Sequence, residues 1–264
     1  MSRLDALPPE ALAEAAQRLR SVRARIADAA ERAGRSPDEI TLVGVAKRQP
    51  LERVLAALSA GVRVLGQSYV QEARAVRPEI EEALTPAATG APVVSPGALQ
   101  WRLVGRLQRN KAALAVRLFD VIESVDRPEL AESLARQAER QGRRLDVLIQ
   151  VGLCGEPQKG GCEPSALEPL AERILSLQSL RLCGLMTVPA AHPDPEQARP
   201  VFRQLRALRE ALARLDPDLA KADLSMGMSA DLDVAVEEGA TLVRVGTALF
   251  GERLEPRQRG GGEG

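Results

Sequence analysis

The sequence predicts an α/β protein with a single (β/α)8 TIM-type barrel and one extra helix at the amino terminus. The chain has 264 residues, and barrels of this kind typically contain about 250 residues in one domain. Eight short apolar runs alternate with amphipathic segments that are long enough to join neighbouring parallel strands. No G-x-G-x-x-G motif follows the first run, so the alternative, a doubly wound open sheet, is less favoured.

The elements follow in order along the chain. Apolar residues recur at helical period from Leu12 to Ala29 and predict the extra helix, which Gly34 ends. Residues 40–47, ITLVGVAK, form a β-branched apolar run that is typical of a strand buried in a parallel sheet. Seven similar runs are the predicted strands two to eight: residues 62–65, 101–104, 121–125, 145–151, 182–188, 223–226 and 242–245. The predicted helices include residues 51–60, 128–141, 167–177 and 195–215.

Two segments lack these patterns. Residues 86–97 are rich in proline, glycine and alanine, which predicts a surface loop before the third strand. Residues 256–264 are polar and rich in glycine, which predicts a disordered tail. We therefore expect one barrel domain over residues 1–255.

The composition excludes several classes of function. Thirty-six basic residues balance thirty-six acidic residues, so no overall field would attract nucleic acid or an anionic membrane. No apolar run reaches the length of a membrane span and the amino terminus lacks a signal-peptide pattern, which predicts a cytoplasmic protein. His192 is the only histidine and the three cysteines lack metal-ligand spacing, so Ser-His-Asp catalysis and a metal site are not expected.

Lysine is rare among the basic residues of this chain. Only four of the thirty-six are lysine: Lys47, Lys111, Lys159 and Lys221. A lysine can lose its proton when desolvated and then form an imine, which arginine cannot do. Lys47 ends the first strand, and the carboxyl ends of barrel strands carry the chemistry. The alternative is a lysine that simply emerges into solvent at a strand end.

Glycine and hydroxyl residues follow the last two predicted strands. They are Ser225, Gly227, Ser229, Gly246 and Thr247. Barrels frequently bind phosphate in these two loops, where glycines let backbone N–H groups approach an anion and hydroxyls donate hydrogen bonds. The alternative is that Ser229 only caps a helix beginning near Asp231. Arg244 lies inside the apolar eighth strand, and it either pairs with an acid in the helix layer or points at a ligand.

These motifs together resemble the YggS/PROSC family of pyridoxal phosphate homeostasis proteins. The resemblance covers nearly the whole chain and rests on seven segments: LVGVAKRQP (42–50), LGQSYVQE (65–72), WRLVGRLQRNK (101–111), SVDR (124–127), LIQVG with EPQKGG (148–161), LCGLMTVP (182–189) and LSMGMSADLDVAVEEGATLVRVGTALFG (224–251). The fold of that family resembles the barrel domain of alanine racemase, which supports closure of the barrel.

The resemblance implies a set of residues that bind pyridoxal 5′-phosphate (PLP). Lys47 would form the internal aldimine and Arg244 would lie beside the pyridine nitrogen, where a like charge disfavours protonation and weakens the ring as an electron sink. The phosphate would be held by Ser225, Gly246 and Thr247, with Met226 and Ser229 close by. The chain departs from the family pattern at Gln67, Ser68, Arg102 and Gly152, which concerns contacts beside the ring. Lys111 and Lys159 match family positions without an assigned role.

The resemblance implies a carrier or regulator in intracellular PLP homeostasis, acting as a monomer and passing PLP to apo-enzymes. The alternative is an amino-acid racemase of the alanine racemase type, which needs a second base on the opposite face of the cofactor. The chain has one tyrosine, Tyr69, and one histidine, and has no room for the additional domain that supplies the base in alanine racemases. We therefore expect no robust catalysis and assign no catalytic residue; an aldolase-like use of Lys47 is less favoured still.

Overall fold

Within residues 3–4, 6–84 and 98–252, which the computed structural model describes, eight parallel strands close into a barrel in chain order. The strands are β1 Thr41–Val45, β2 Val64–Gln67, β3 Gln100–Leu103, β4 Val121–Val125, β5 Leu145–Gln150, β6 Leu180–Met186, β7 Asp223–Ser225 and β8 Leu242–Val245. β1 pairs with both β2 and β8. The predicted barrel is confirmed, and the alternative of an open sheet is wrong.

The same part of the chain contains nine α-helices that surround the barrel. They are α1 Pro9–Arg32, α2 Leu51–Ala60, α3 Val70–Leu84, α4 Ala112–Leu118, α5 Pro128–Arg140, α6 Leu167–Leu175, α7 Arg199–Leu212, α8 Leu232–Glu237 and α9 Thr247–Phe250. The predicted loop 86–97 and the predicted tail 256–264 lie outside the described residues. No described helix combines the length and the hydropathy needed to cross a membrane, and the described residues form no cluster of metal-ligating side chains.

The second strand begins two residues later than the sequence predicted. Gly61 ends α2 in the left-handed conformation at φ 119°, which glycine adopts without a steric cost. The amide of Val62 then donates to the carbonyl oxygen of Ala57, the hydrogen bond that closes a helix C-terminus. Val62 therefore belongs to the helix cap although it is apolar and β-branched, and β2 starts at Val64.

The predicted helix 195–215 is also divided. Pro195–Ala198 form a 3-10 turn in which the Asp194 carboxylate accepts from the amide of Glu196, and α7 follows from Arg199 to Leu212. Proline favours the first turn of a helix because it has no amide to leave unpaired. The amphipathic pattern continues across both pieces, so periodicity alone did not separate them.

The barrel interior changes from apolar to polar along the strands. An inner cluster of Val43, Val121, Leu148, Met186 and Leu242 is fully or almost fully buried. Alternate residues of a strand lie on the same face. The next inward positions on β4 and β8 are therefore charged, and they are the buried residues Glu123 and Arg244. The polar layer lies toward the carboxyl ends of the strands, the end at which barrels bind their ligands.

Candidate functional site

The ends of β1 and β8 meet at the carboxyl edge of the barrel. Because these strands pair and close it, Lys47 and the Gly246-Thr247 turn follow neighbouring strand ends although they are far apart in sequence. A Cβ atom on Gly246 would lie 3.5 Å from the carbonyl oxygen of Val45. Gly246 is half-buried and Thr247 is exposed. A lysine and a glycine-threonine turn thus share one part of the barrel mouth.

Lys47 is half-buried two residues beyond the end of β1. Its Nζ lies over the ring of Tyr69, 5.5 Å from the centroid, a geometry in which the ring face attracts a cation. Among the described residues, no carboxylate forms an ion pair with Nζ. The amine therefore lies against an aromatic ring and is not held by an acid.

The turn after Lys47 is fixed from two sides. Arg48 has φ 54°, a left-handed conformation that costs a non-glycine residue about 1 kcal/mol. The Glu72 carboxylate on α3 accepts from the amide of Arg48 at 2.5 Å, and Gln49 donates through Nε2 to the carbonyl oxygen of Gly251 at 3.2 Å. These contacts tie the Lys47 turn to α3 and to the end of α9.

Ser229 joins the two loops that the sequence predicted to bind phosphate. Its Oγ accepts from the amide of Ala248 at 3.4 Å, next to Thr247. α8 begins at Leu232, and the carboxylate of Asp231 accepts from the amide of Met228 at 2.6 Å. The alternative in which Ser229 caps this helix is therefore wrong. The first helix supports the loop as well, because Nη1 of Arg25 donates to the carbonyl oxygen of Ser229 at 2.9 Å.

Gly227 has a steric requirement of its own. Its φ is 89°, and a Cβ atom there would lie 2.5 Å from the Cβ of Ala235. Only glycine fits both constraints. Beside it, the fully buried Met226 donates its amide to the carbonyl oxygen of Leu242 on β8.

Arg244 points into the barrel and does not pair with the helix layer. Its Nη1 donates to Oγ of Ser225 at 2.7 Å and its Nη2 donates to the carbonyl oxygen of Thr187 at 2.7 Å. Ser225 in turn donates through Oγ to Oε2 of Glu123 at 2.5 Å. Nε of Arg102 donates to the other oxygen of that carboxylate, also at 2.5 Å. We call Arg102, Glu123, Ser225 and Arg244 the inner network.

The inner network holds two guanidinium groups and one carboxylate. All four side chains are buried, with relative exposures of 4% for Arg102, 0% for Glu123, 0% for Ser225 and 5% for Arg244. Burial lowers the pKa of the Arg244 guanidinium from its ordinary value, while the charges of Glu123 and Asp231 raise it. Counted alone, the network carries one excess positive charge, and a buried excess charge favours an anion nearby.

Glu123 was not among the predicted site residues. Glu123 interrupts the apolar run of β4 in the same way that Arg244 interrupts that of β8. This shared feature is visible in the sequence and could have identified Glu123 as a candidate. Arg102 was noted only as a departure from the family pattern. The structure brings Ser225 together with Arg244, and Ser229 together with the start of α9. Within the described chain, Lys47 makes no hydrogen bond to the other six predicted residues.

The other departures from the family pattern, and the family lysine Lys159, lie in different surroundings. Gln67 is buried, and its Oε1 has no hydrogen-bond partner in the described chain. The backbone of Ser68 packs closely on Gly105, since a Cβ atom on Gly105 would lie 2.2 Å from the carbonyl oxygen of Ser68. Gly152 donates its amide to the carbonyl oxygen of Cys162. Lys159 donates through Nζ to Oε1 of Glu156 at 2.9 Å and to the carbonyl oxygen of Pro189 at 2.8 Å.

Residues 17–254 match the family described as alanine racemase, N-terminal domain. Two pyridoxal phosphate homeostasis proteins are similar to the chain: that of Aquifex aeolicus (strain VF5) is 40% identical over 90% of this chain and 98% of the relative, and that of Escherichia coli (strain K12) is 38% identical over 90% and 96%. The structure of PipY from Synechococcus elongatus PCC7942 with PLP bound has 35% identity and a TM-score of 0.75, and covers 90% of this chain and 100% of that chain.

More distant structures share the fold alone. Alanine racemase of Clostridium difficile 630 is 15% identical with a TM-score of 0.62, over 83% of this chain and 56% of that chain. By contrast, the relatives above 30% identity are matched over almost their whole length. The chain therefore belongs to the family of pyridoxal phosphate homeostasis proteins, whose barrel corresponds to the N-terminal domain of alanine racemase.

Proposed function

We propose that this chain binds PLP as a Schiff base on Lys47 and acts as a carrier or regulator in intracellular PLP homeostasis, without robust catalysis. One observation carries the proposal. The half-buried amine of Lys47, with no carboxylate partner in the described chain, lies at the strand ends that also present the Gly246-Thr247 turn. The names of the similar proteins and the PLP bound to PipY support the same cofactor.

The residues present fit this cofactor. PLP supplies two groups that the site must hold. One is an aldehyde, which condenses with an amine, and the other is a phosphate dianion. Lys47 would hold the cofactor through Nζ, which would add to the aldehyde carbon and form a carbon-nitrogen double bond with loss of one water molecule. Gly246, which has no side chain to block an anion, would offer its backbone amide to the phosphate, and Thr247 would offer its exposed hydroxyl. Ser229 adjoins this turn. The excess positive charge of the inner network, inside the barrel, favours binding of the phosphate anion.

Ser225, Met226 and Arg244 complete the proposed site. The Ser225 hydroxyl donates its one proton to Glu123 in the structure, so it would have to turn that proton toward the phosphate in order to bind it. Met226 follows Ser225 in sequence and is fully buried, and it would lie close to the phosphate. Arg244 would lie beside the pyridine nitrogen, where its like charge would disfavour protonation, weaken the ring as an electron sink and favour storage of the cofactor over catalysis.

Racemase activity is the second candidate, and one observation disfavours it. A racemase needs a base on the face of the cofactor opposite the lysine. Tyr69 is the only tyrosine of the sequence, and its ring lies against Nζ of Lys47, on the lysine's own side. We propose further that the carrier is a cytoplasmic monomer and that it passes PLP to apo-enzymes.

The visible absorption spectrum of the purified protein tests the proposal. Wild type reconstituted with PLP should absorb in the visible range, and borohydride should abolish the band by reducing the Schiff base to an amine. Lys47→Arg keeps the cation over Tyr69 and cannot form the imine, so this variant should remain colourless. Lys221→Arg is the matched control and should behave as wild type. A wild type that stays colourless with PLP would refute the proposal.

The choice between carrier and racemase needs a separate measurement. The PLP-loaded protein is incubated with single-enantiomer amino acids, and the optical rotation is followed over time. We expect no sustained inversion. Continuous turnover with any of the amino acids would make the racemase the better description of the chain.

A further inference from the structure

A second group of cations lines a cleft at the same barrel mouth. The cleft has a volume of about 540 Å³ and lies between the loops that follow β2 and β3 and the start of α5. Its cationic side chains are Arg106, Arg109, Lys111 and Arg127. We call this feature the basic cleft. The residues that line it include no aspartate or glutamate.

Three of these four cations are not neutralised. Arg127 forms an ion pair with Asp126 and also donates to the carbonyl oxygen of Leu107. Among the described residues, no carboxylate forms an ion pair with Arg106, Arg109 or Lys111. Glu156 is paired with Lys159. The lining of the cleft therefore carries three cations without an ion-pair partner in the described chain, whereas the total charge of the sequence is zero.

The chemistry of the cleft selects the class of ligand. Guanidinium groups bind phosphate oxygens through paired N–H donors, and lysine adds a point charge. The volume lies within the range of small-molecule pockets. The chain has no net charge and therefore no overall field that would draw a polyanion to the cleft. Tyr69, which is 47% exposed, supplies an aromatic wall. We propose that the basic cleft is a second, non-covalent binding site for a small phosphate monoester.

Tyr69 connects this site to Lys47. The ring lies over Nζ of Lys47 and also lines the basic cleft, so the two sites share one side chain as their wall. If the proposed function holds, on which the identity of the ligand rests, the monoester has the chemistry of the cofactor itself. The cleft then holds the phosphate of a molecule that is approaching Lys47 or leaving it.

The test occupies Lys47 permanently and titrates the cleft. Protein loaded with PLP is reduced with borohydride, and calorimetry then measures the binding of pyridoxine 5′-phosphate, which has no aldehyde, and of inorganic phosphate. The reduced wild type should bind one equivalent of the ester, more tightly than inorganic phosphate. The double substitution Arg109→Ala with Lys111→Ala should weaken binding of the ester at least tenfold. The control, Arg117→Ala with Arg140→Ala, removes one exposed arginine from α4 and one from α5 and should leave the affinity for the ester unchanged.

The outcomes separate the cleft from the Lys47 site. No binding to the reduced wild type, or equal binding by the cleft variant, would overturn the second site. Equal affinities for phosphate and ester would overturn the assignment to a monoester. If borohydride reduces nothing, the proposed function has failed. The unreduced protein is then titrated, and loss of an equivalent in the cleft variant alone would still support the cleft.

Discussion

The inner network and the basic cleft lie at one barrel mouth and differ in how their charges are balanced. In the inner network, Glu123 lies between Arg102 and Ser225, and the Ser225 hydroxyl connects it to Arg244. In the basic cleft, Arg109 and Lys111 have no acid partner among the described residues. Buried charges must be paired, whereas exposed charges are solvated by water and screened by salt. The side chains of the inner network are therefore held by one another, whereas the unpaired cations of the basic cleft are free to bind a ligand.

The largest expected effect comes from removing the carboxylate of the inner network. Glu123→Ala leaves two buried guanidinium groups without their anion, and breaking a buried pair typically costs about 3–5 kcal/mol. Urea denaturation should record a loss of this size in the free energy of unfolding. Glu168→Ala is the control, because its pair with Arg214 is exposed and should cost about 0–1 kcal/mol. Equal losses in the two variants would remove the distinction between buried and exposed pairs.

The hydroxyl that links Glu123 to Arg244 should have the next largest effect. Ser225→Ala leaves one buried acceptor and one buried donor without this partner, which costs about 1–3 kcal/mol. Retention of PLP during dialysis should fall as well, and more so when Thr247→Ala is added. Thr247→Ala alone should leave the free energy of unfolding nearly unchanged, since Thr247 is exposed. Unchanged PLP affinity in the double variant would contradict the proposed phosphate site.

Substitutions in the basic cleft should hardly affect stability. Arg109→Ala with Lys111→Ala removes no ion pair of the described chain, and such surface changes usually stay within about 0.5 kcal/mol. Urea denaturation should therefore give the wild-type midpoint even if anion binding is lost. A loss above about 2 kcal/mol would show that the cleft is part of the folded framework and would remove its contrast with the inner network.

Cysteine reactivity should give the smallest effect. Burial raises the pKa of the Cys162 thiol to about 12 and that of the Cys183 thiol to about 11. A raised pKa leaves little thiolate at pH 8, and the thiolate is the nucleophile. Alkylation of native protein at pH 8, followed by mass spectrometry, should be slow at both thiols, and slower at Cys162. The rate of labelling should increase as the pH rises from 8 to 10, because more of each thiol is then ionised. Rapid labelling of Cys162 at pH 8 would contradict its buried environment.

The fold was predictable to the extent that it depends on periodic burial. Apolar runs marked all eight strands, and β4 and β8 have the predicted bounds. The start of β2 was not predictable from its run, because Val62 completes a helix cap instead of pairing. The division of 195–215 depended on proline and a capping carboxylate, which hydrophobic periodicity does not register.

The candidate site was predictable only where the chemistry is local in sequence. The glycine-hydroxyl loops and the rare lysine are visible in single segments of the chain. The partner of Arg244 was not, because Ser225 and Glu123 come from other strands and closure of the barrel decides which of them meet. The basic cleft likewise depends on which cations lack an acid in three dimensions. Residue types therefore indicated a candidate site, and the pairing of its side chains needed the structure.

Chemical labelling can show directly whether Lys47 holds the cofactor. The protein is reconstituted with PLP, reduced with borohydride and digested, and the phosphopyridoxyl group is located by peptide mass spectrometry. We expect the label on Lys47, with Lys111, Lys159 and Lys221 unmodified. A label on one of those three lysines with Lys47 free, or no label at all, would show that Lys47 does not hold the cofactor.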